Sequence, residues 1–368
     1  EFKQWKGAGG DPDCWGIEGN ERGFIAVGGD FTLKYGTGWS SPPWMRARIG
    51  STWDYPFTVF DADDGPVRRI GLPQYRVNTS SLNLLLEGTL FHMQTLGAPV
   101  NLRLVYNSAP VKDSADSIGL FGKNWRLRYE SFVGQFGTEA IVVTGGGRSL
   151  IFTTPNGQDL STATLGSPIV LLPPDGIFDE LTFYGPGQRF EYREKSSKRV
   201  IRYDVSGGAG NAIWRMTRVT DRNGQALNLS VDGATGRISS ITDASGRVVN
   251  FVYDIVNNLC TRINVPDGRH IDFAYDSHKN LVSITDMAGY VGTYLYDKVG
   301  YLTQMKVAGR VSTFAFAPRP GYEDVDSQQD NAGDKVLAAV TDAVGGTTKY
   351  LIDPKDGSVK RTDPRGAV

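Results

Sequence analysis

The chain has 368 residues, enough for two or three ordinary domains or one large repetitive β architecture, and too many for a single small domain. Its 39 lysines and arginines balance 40 aspartates and glutamates, so no excess charge points to nucleic acid or an anionic membrane as a partner. With 45 glycines and 18 prolines beside 11% aromatic and 21% charged residues, the composition is that of a turn-rich folded chain and not a disordered one.

Residues 1–77 form a first unit. Five of the seven tryptophans (Trp5, Trp15, Trp39, Trp44 and Trp53) crowd into it among glycine and proline. Such crowding reads as a packed plug or a staple against a sheet. Read as a recognition segment instead, Trp39, Trp44 and Trp53 offer flat indole faces for a sugar or a protein anchor. In the same unit Asp61, Asp63 and Asp64 have the close oxygen spacing of a calcium loop without the distant bidentate Glu, so a solvated turn is expected there. Residues 78–134 make an opening segment with an extended stretch around Pro99 to Ser108. From 135 to 220, glycine-rich turns at Gly145 to Gly147, Asn156-Gly157 and Gly185-Pro186-Gly187 separate short strands, and the region reads as degenerate β repeats.

Between 221 and 368 the repeats become regular. Tyr-Asp or a close relative recurs at Val231-Asp232, Tyr253-Asp254, Tyr275-Asp276, Tyr296-Asp297 and Ile352-Asp353, and the first four aspartates are 22, 22 and 21 residues apart. A second series of turn aspartates (Asp221, Asp243, Asp267, Asp286, Asp342, Asp363) falls between them. Two turns in about 22 residues leave two segments of six to eight, so each unit is one β-hairpin. In the first strand of each hairpin, alternate positions carry the rings and aliphatics, as in Val249, Phe251 and Tyr253, or Ile271, Phe273 and Tyr275. The intervening positions carry Asn228, Asn250, Asp272, Thr293 and Lys349, which gives the sheet one aromatic face and one polar face. In the second strands the apolar residues fall three apart, as in Ile238 and Ile241, Leu281 and Ile284, and Leu302 and Met305. A strict pleat puts such pairs on opposite faces, so a bulge is expected in each. The spacing of four between Leu259 and Ile263 predicts extra curvature in that unit. Residues 317–334, with Pro318 and Pro320 followed by polar residues, read as an inserted, projecting loop.

These units resemble the YD repeats of the Rhs family, which are shared with the C component of Tc toxins and with teneurins. Residues 289 to 306 follow the family pattern closely, with Tyr296-Asp297, Gly300, Leu302 and Met305, and Lys306 in place of the closing Asp. Upstream, Leu102-Arg103-Leu104-Val105-Tyr106-Asn107-Ser108 and Gly119-Leu120-Phe121-Gly122-Lys123-Asn124-Trp125 are similar to the segment that opens Rhs cores, with Lys123-Asn124 in place of the usual second glycine. The resemblance implies an all-β chain of antiparallel hairpins forming a curved sheet, part of a coiled hollow shell. In it, Tyr253, Asp254, Tyr275, Asp276, Tyr296 and Asp297 are structural repeat residues. It also implies a secreted or cell-surface protein whose partners are the downstream shell and a toxin cargo of the same polypeptide. A self-assembling adhesion module, joined to identical subunits through sheet edges, is the alternative.

The chemistry-bearing residues fit a non-enzymatic role. His92, His270 and His278 sit in no nucleophile motif, and the repeat aspartates stand at turn positions where Asp caps its own backbone. Gly145-Gly146-Gly147-Arg148 lacks the lysine and helix of a phosphate loop. Two cysteines, Cys14 and Cys260, form neither a disulfide framework nor a metal site. No run approaches the roughly 18 apolar residues of a membrane span, and the first residues hold no apolar signal core, so processing or trimming before Glu1 is expected. No cofactor and no metal are expected.

Overall fold

A computed structural model describes residues 74–77, 82–108, 118–206, 213–232, 235–318, 335–352 and 359–366. Trp39, Trp44, Trp53, the Asp61 to Gly65 turn and residues 319–334 of the expected loop lie outside these. The described residues are β-strands and the turns joining them, with one short 3₁₀ turn at Leu160–Thr162.

The opening segment supplies a small antiparallel sheet. Its strands are β1 (Gln74–Val77), β2 (Leu84–Met93) and β3 (Val100–Asn107); after the two-residue strands β4 (Ile118–Gly119) and β5 (Gly122–Lys123), β6 (Trp125–Leu127) completes it in the order β1-β2-β3-β6. One side of this sheet is fully buried, with Leu84, Leu86, Leu102 and Leu104 at or near zero exposure.

The next eight strands close into a ring. They are β7 (Phe132–Phe136), β8 (Glu139–Val143), β9 (Ser149–Thr153), β10 (Ile169–Leu171), β11 (Glu180–Phe183), β12 (Arg189–Arg193), β13 (Val200–Ser206) and β14 (Ile213–Thr220). β7 to β9 pair in turn, as do β10 to β14, and β14 returns to β7 through Ile213 to Arg215; between β9 and β10 a single bridge, Thr153 to Leu172 just beyond β10, with reciprocal backbone bonds of 3.0 and 2.8 Å, completes the ring. The ring is filled with aromatic side chains. Phe183 stacks on Phe190 at 4.5 Å, Trp214 sets its edge against both, and the Trp214 Nε1–H donates to Gln135 Oε1 at 3.2 Å. The region expected as degenerate repeats is thus a packed, closed barrel.

The sheet branches at β14. One half of that strand holds β7, and the other half, Arg218 to Thr220, holds β15 (Ala226–Val231). From β15 the hairpins follow in unbroken antiparallel order to the strand Val359–Thr362. The alternation expected from sequence is present: Val249, Phe251, Ile271, Phe273 and Tyr294 are buried, while Asn228, Asn250 and Lys349 are exposed. Ala317 and Pro318 still belong to a strand, paired with Val336 and Lys335, so the loop between them starts later than the sequence suggests.

Every expected bulge is present, and all occupy one place in the repeat. The partner of each Tyr-Asp tyrosine is followed by one extra residue: Ser239 is skipped after Ile238, Thr261 after Cys260, Val282 after Leu281 and Thr303 after Leu302. Thr217 after Met216 and Ala338 after Leu337 repeat the pattern. Where the extra residue is Ser or Thr, its hydroxyl donates to the carbonyl across the ladder, as Ser239 does to Ser230 (3.1 Å) and Thr303 to Leu295 (3.1 Å). The expectation of extra curvature at Leu259 is corrected. Cys260, fully buried, is the apolar bulge residue of its unit, so Cys260 and Ile263 keep the ordinary spacing of three.

Candidate functional site

A bulge leaves backbone N–H and C=O groups outside the ladder, and when buried they need other partners. The row of bulge residues Met216, Ile238, Cys260, Leu281, Leu302 and Leu337 runs along the aromatic face, all at 5% exposure or less. Three of their carbonyls are taken by the next hairpin. Tyr253 Oη–H donates to the Ile238 carbonyl (3.0 Å), Tyr275 to Cys260 (2.6 Å) and Tyr296 to Leu281 (2.7 Å), each across 15 residues. The repeat tyrosines therefore bind one hairpin to its predecessor. Burial pushes all three phenols far above the ordinary tyrosine range, so they remain donors.

Four N–H groups of the same row are taken by the opening segment. Met216 N–H donates to the Ser131 carbonyl (3.3 Å), Cys260 N–H to Leu120 (2.7 Å), Leu302 N–H to Tyr106 Oη (3.0 Å) and Leu337 N–H to Leu82 (3.1 Å). Beside Leu281, Lys123 N–H reaches the Lys279 carbonyl at 3.0 Å. Rings lock the same seam: Trp125 meets Tyr294 at 5.1 Å and Tyr106 at 5.2 Å, Phe121 meets Phe273 at 5.1 Å, and the Trp125 Nε1–H donates to Tyr296 Oη at 2.8 Å. The aromatic face of the repeats is thus covered by residues 82–131 of the same chain, whereas no described segment lies over the polar face. Asn124, of the Lys123-Asn124 pair that departs from the family pattern, adopts φ +64°, a conformation that Asn tolerates better than most non-glycine residues.

The aspartates of Tyr-Asp point the other way, into the turns. Asp276 Oδ1 accepts from His278 and Asn280 N–H, and Asp297 Oδ1 accepts from Val299, Gly300 and Tyr301 N–H, all within 3.0 Å. Asp254 Oδ1 holds Val256 N–H at 2.9 Å, and Asp243 on the opposite rim accepts from Ser245 and Arg247. Burial alone raises the carboxyls of Asp243, Asp276 and Asp297, but their turn donors outweigh it and hold all three below the usual range. Side-chain donors, Asn257 and Arg269, lower Asp254 and Asp267. Carboxylates depressed in the folded state stabilise it above about pH 4, the unfolded value, and that contribution disappears as pH falls through the folded values. Glu130, raised by burial although Leu120 and Leu127 N–H donate to it, acts in the opposite sense. With five turn aspartates against one glutamate, the melting temperature is expected to fall steeply between pH 5 and pH 3 (about one unit either side of that unfolded value), as read by calorimetry.

No catalytic constellation is assembled among the described residues. His270 lies on the exposed polar face 3.5 Å from Asp272, His92 is exposed beside Gln94, and His278 stands in a turn. No group of three metal-ligating side chains occurs among the described residues either. Sequence reasoning missed the bulge backbone as a binding element; the recurring three-residue apolar spacing was its signal.

The profile of the RHS Repeat family matches residues 232–270 and 275–312, the stretch in which the tyrosine ladder and the bulges recur. Those residues carry RHS repeats. Among solved structures, the chain is similar to a mutant Tc holotoxin pore from Photorhabdus luminescens at 12% identity and a TM-score of 0.28, covering 77% of this chain and 18% of that one. It is also similar to a TcdB2–TccC3 complex without its hypervariable C-terminal region, at 10% identity and a TM-score of 0.23, covering 79% and 14%. The chain therefore spans less than a fifth of each of those chains. A search of the curated proteins finds no match.

Proposed function

We propose that this RHS-repeat chain is the capped start of a β-sheet shell wall in a secreted or cell-surface protein, with an encapsulating and non-enzymatic role. The asymmetry of its sheet carries the reading. One end is closed by the β7–β14 ring, while the strand Val359–Thr362 pairs along one edge only among the described residues. A further hairpin of the same build continues the ladder at that edge, and cannot do so at the other end. The aromatic face is already packed by the opening segment, so a cargo of the same polypeptide would meet the face of Ser, Thr, Asn and charged side chains. Such a surface holds a folded or unfolded cargo without offering it a hydrophobic core.

Electron microscopy of the parent polypeptide tests this. A hollow particle with this segment in its wall is the expected result, and a solid globule overturns it. The open edge also supports a second reading, assembly with identical subunits through strand pairing. Light scattering distinguishes the two: concentration-dependent oligomers favour assembly. Lys360 and Arg361, both exposed on that edge, oppose pairing with a second copy, which favours the shell.

A further inference from the structure

The cover over the aromatic face thins at the last hairpin. Two residues before each repeat tyrosine or its equivalent, Leu229, Phe251, Phe273, Tyr294 and Phe314 are all 7% exposed or less. Tyr350 holds that place in the strand Thr347–Ile352 and is only half-buried, as are Ile352 and Val359 beside it. Across the ladder the rings from Phe251 to Phe314 face Ile263, Ile284, Met305 and Val340, whereas Tyr350 faces Arg361, which is exposed. A row sealed at five hairpins and open at the next calls for a further piece of cover.

The direction of the seam selects what supplies it. The opening segment runs against the repeats: Ser131 meets Met216, Tyr106 meets Leu302 and Leu82 meets Leu337. Further toward the N-terminus, Tyr75 of β1 meets Phe314 edge-on at 6.0 Å. Burial raises the Tyr75 phenol, and Tyr350 and Asp342 add to the rise against Arg361, so β1 stands beside the last hairpin. β1 is the outer strand of the opening sheet and pairs only with β2 among the described residues, which leaves room for one more strand at its other edge. Residues 1–73 precede it. In them Tyr55, Phe57 and Val59 fall at alternate positions, the pattern that the repeat strands show on their aromatic side. Asp54 and Asp61 flank this run with the charge that complements Arg361. Residues 61–73, at about 3.3 Å each, are long enough to bring the run back alongside β1.

We propose that Tyr55 to Phe60 of the same chain dock on the aromatic face of the last hairpin, over Tyr350, Ile352 and Val359, as the next strand beyond β1 and with an acidic end against Arg361. A second copy docked symmetrically through the same face would set Arg361 against Arg361, and fits less well. A downstream hairpin pairs with the edge of the strand Val359–Thr362 and leaves this face uncovered, so the inference does not rest on the shell reading.

The full chain with p-benzoylphenylalanine in place of Tyr350 tests it, by irradiation and peptide mapping. A cross-link into residues 54–61 of the same chain is expected, and none when the photo-probe replaces Leu351, which is 62% exposed on the opposite face. Cross-links that avoid residues 54–61, that join two copies, or that form equally from position 351 overturn the proposal. Native Tyr350 gives a second reading that needs no probe. Phe57→Ala is expected to speed its nitration by tetranitromethane about tenfold, as local protection is lost, with buried Tyr294 unchanged. Equal nitration of Tyr350 in the two proteins overturns the proposal.

Discussion

Replacing Trp125 by alanine is expected to destabilise the protein by about 3–5 kcal/mol, the range for deleting a large buried aromatic side chain. Trp125 is 1% exposed and lies at the centre of the seam, with Tyr294 and Tyr106 against its ring. Its Nε1–H is also a donor to Tyr296 Oη, whose own proton goes to the Leu281 carbonyl. The alanine variant therefore loses packing on both layers and leaves Tyr296 short of a donor. Trp125→Phe separates the two effects, because it keeps much of the ring contact and removes only the hydrogen bond, at an expected cost of about 1–2 kcal/mol. Denaturant unfolding measures both. A loss below about 1 kcal/mol for the alanine variant would mean that the opening segment does not rest on the repeats.

Gly122→Ala is expected to cost about 2–4 kcal/mol, by a different route. Gly122 has φ +95°, which an L-residue adopts only with strain, and a Cβ there falls 2.6 Å from the Lys279 carbonyl oxygen. That carbonyl is the acceptor for Lys123 N–H, so relieving the collision breaks a backbone bond across the seam. Gly268→Ala is the matched control: its φ is +86° and nothing lies within 4 Å of the added carbon. It carries the conformational strain alone, about 1–2 kcal/mol. The excess of the first variant over the second, read by the same unfolding experiment, measures docking of the opening segment at this point. Equal losses would show that the seam is absent in solution.

The hairpins, their two faces and their bulges were legible because each rests on neighbours in sequence: a period of two, an aspartate at every turn and an apolar spacing of three. What escaped the sequence depends on contacts across long separations. The ring closes through Val133 with Trp214 and through Thr153 with Leu172, and neither pairing leaves a local period. The seam joins Leu120 to Cys260, and Tyr106 to Leu302, through backbone groups that no side-chain pattern records. Cys260 was misplaced because a cysteine is not counted in an apolar repeat unless its burial is known. Asn124 shows the converse: a departure from the family glycine that becomes intelligible once its backbone angle is seen. The tryptophans Trp39, Trp44 and Trp53 lie outside the described residues, and their reading as a recognition surface stands as a proposal.

The account depends on the bulge amides being held by the opening segment, and hydrogen exchange of the native chain measures that directly. The N–H groups of Cys260, Leu302 and Leu337 are expected to exchange with the slowest class, opening only when the whole fold opens. Exchange at these three positions as fast as in exposed turns, while Ile241 and Phe251 stay protected in the ladder, would contradict it.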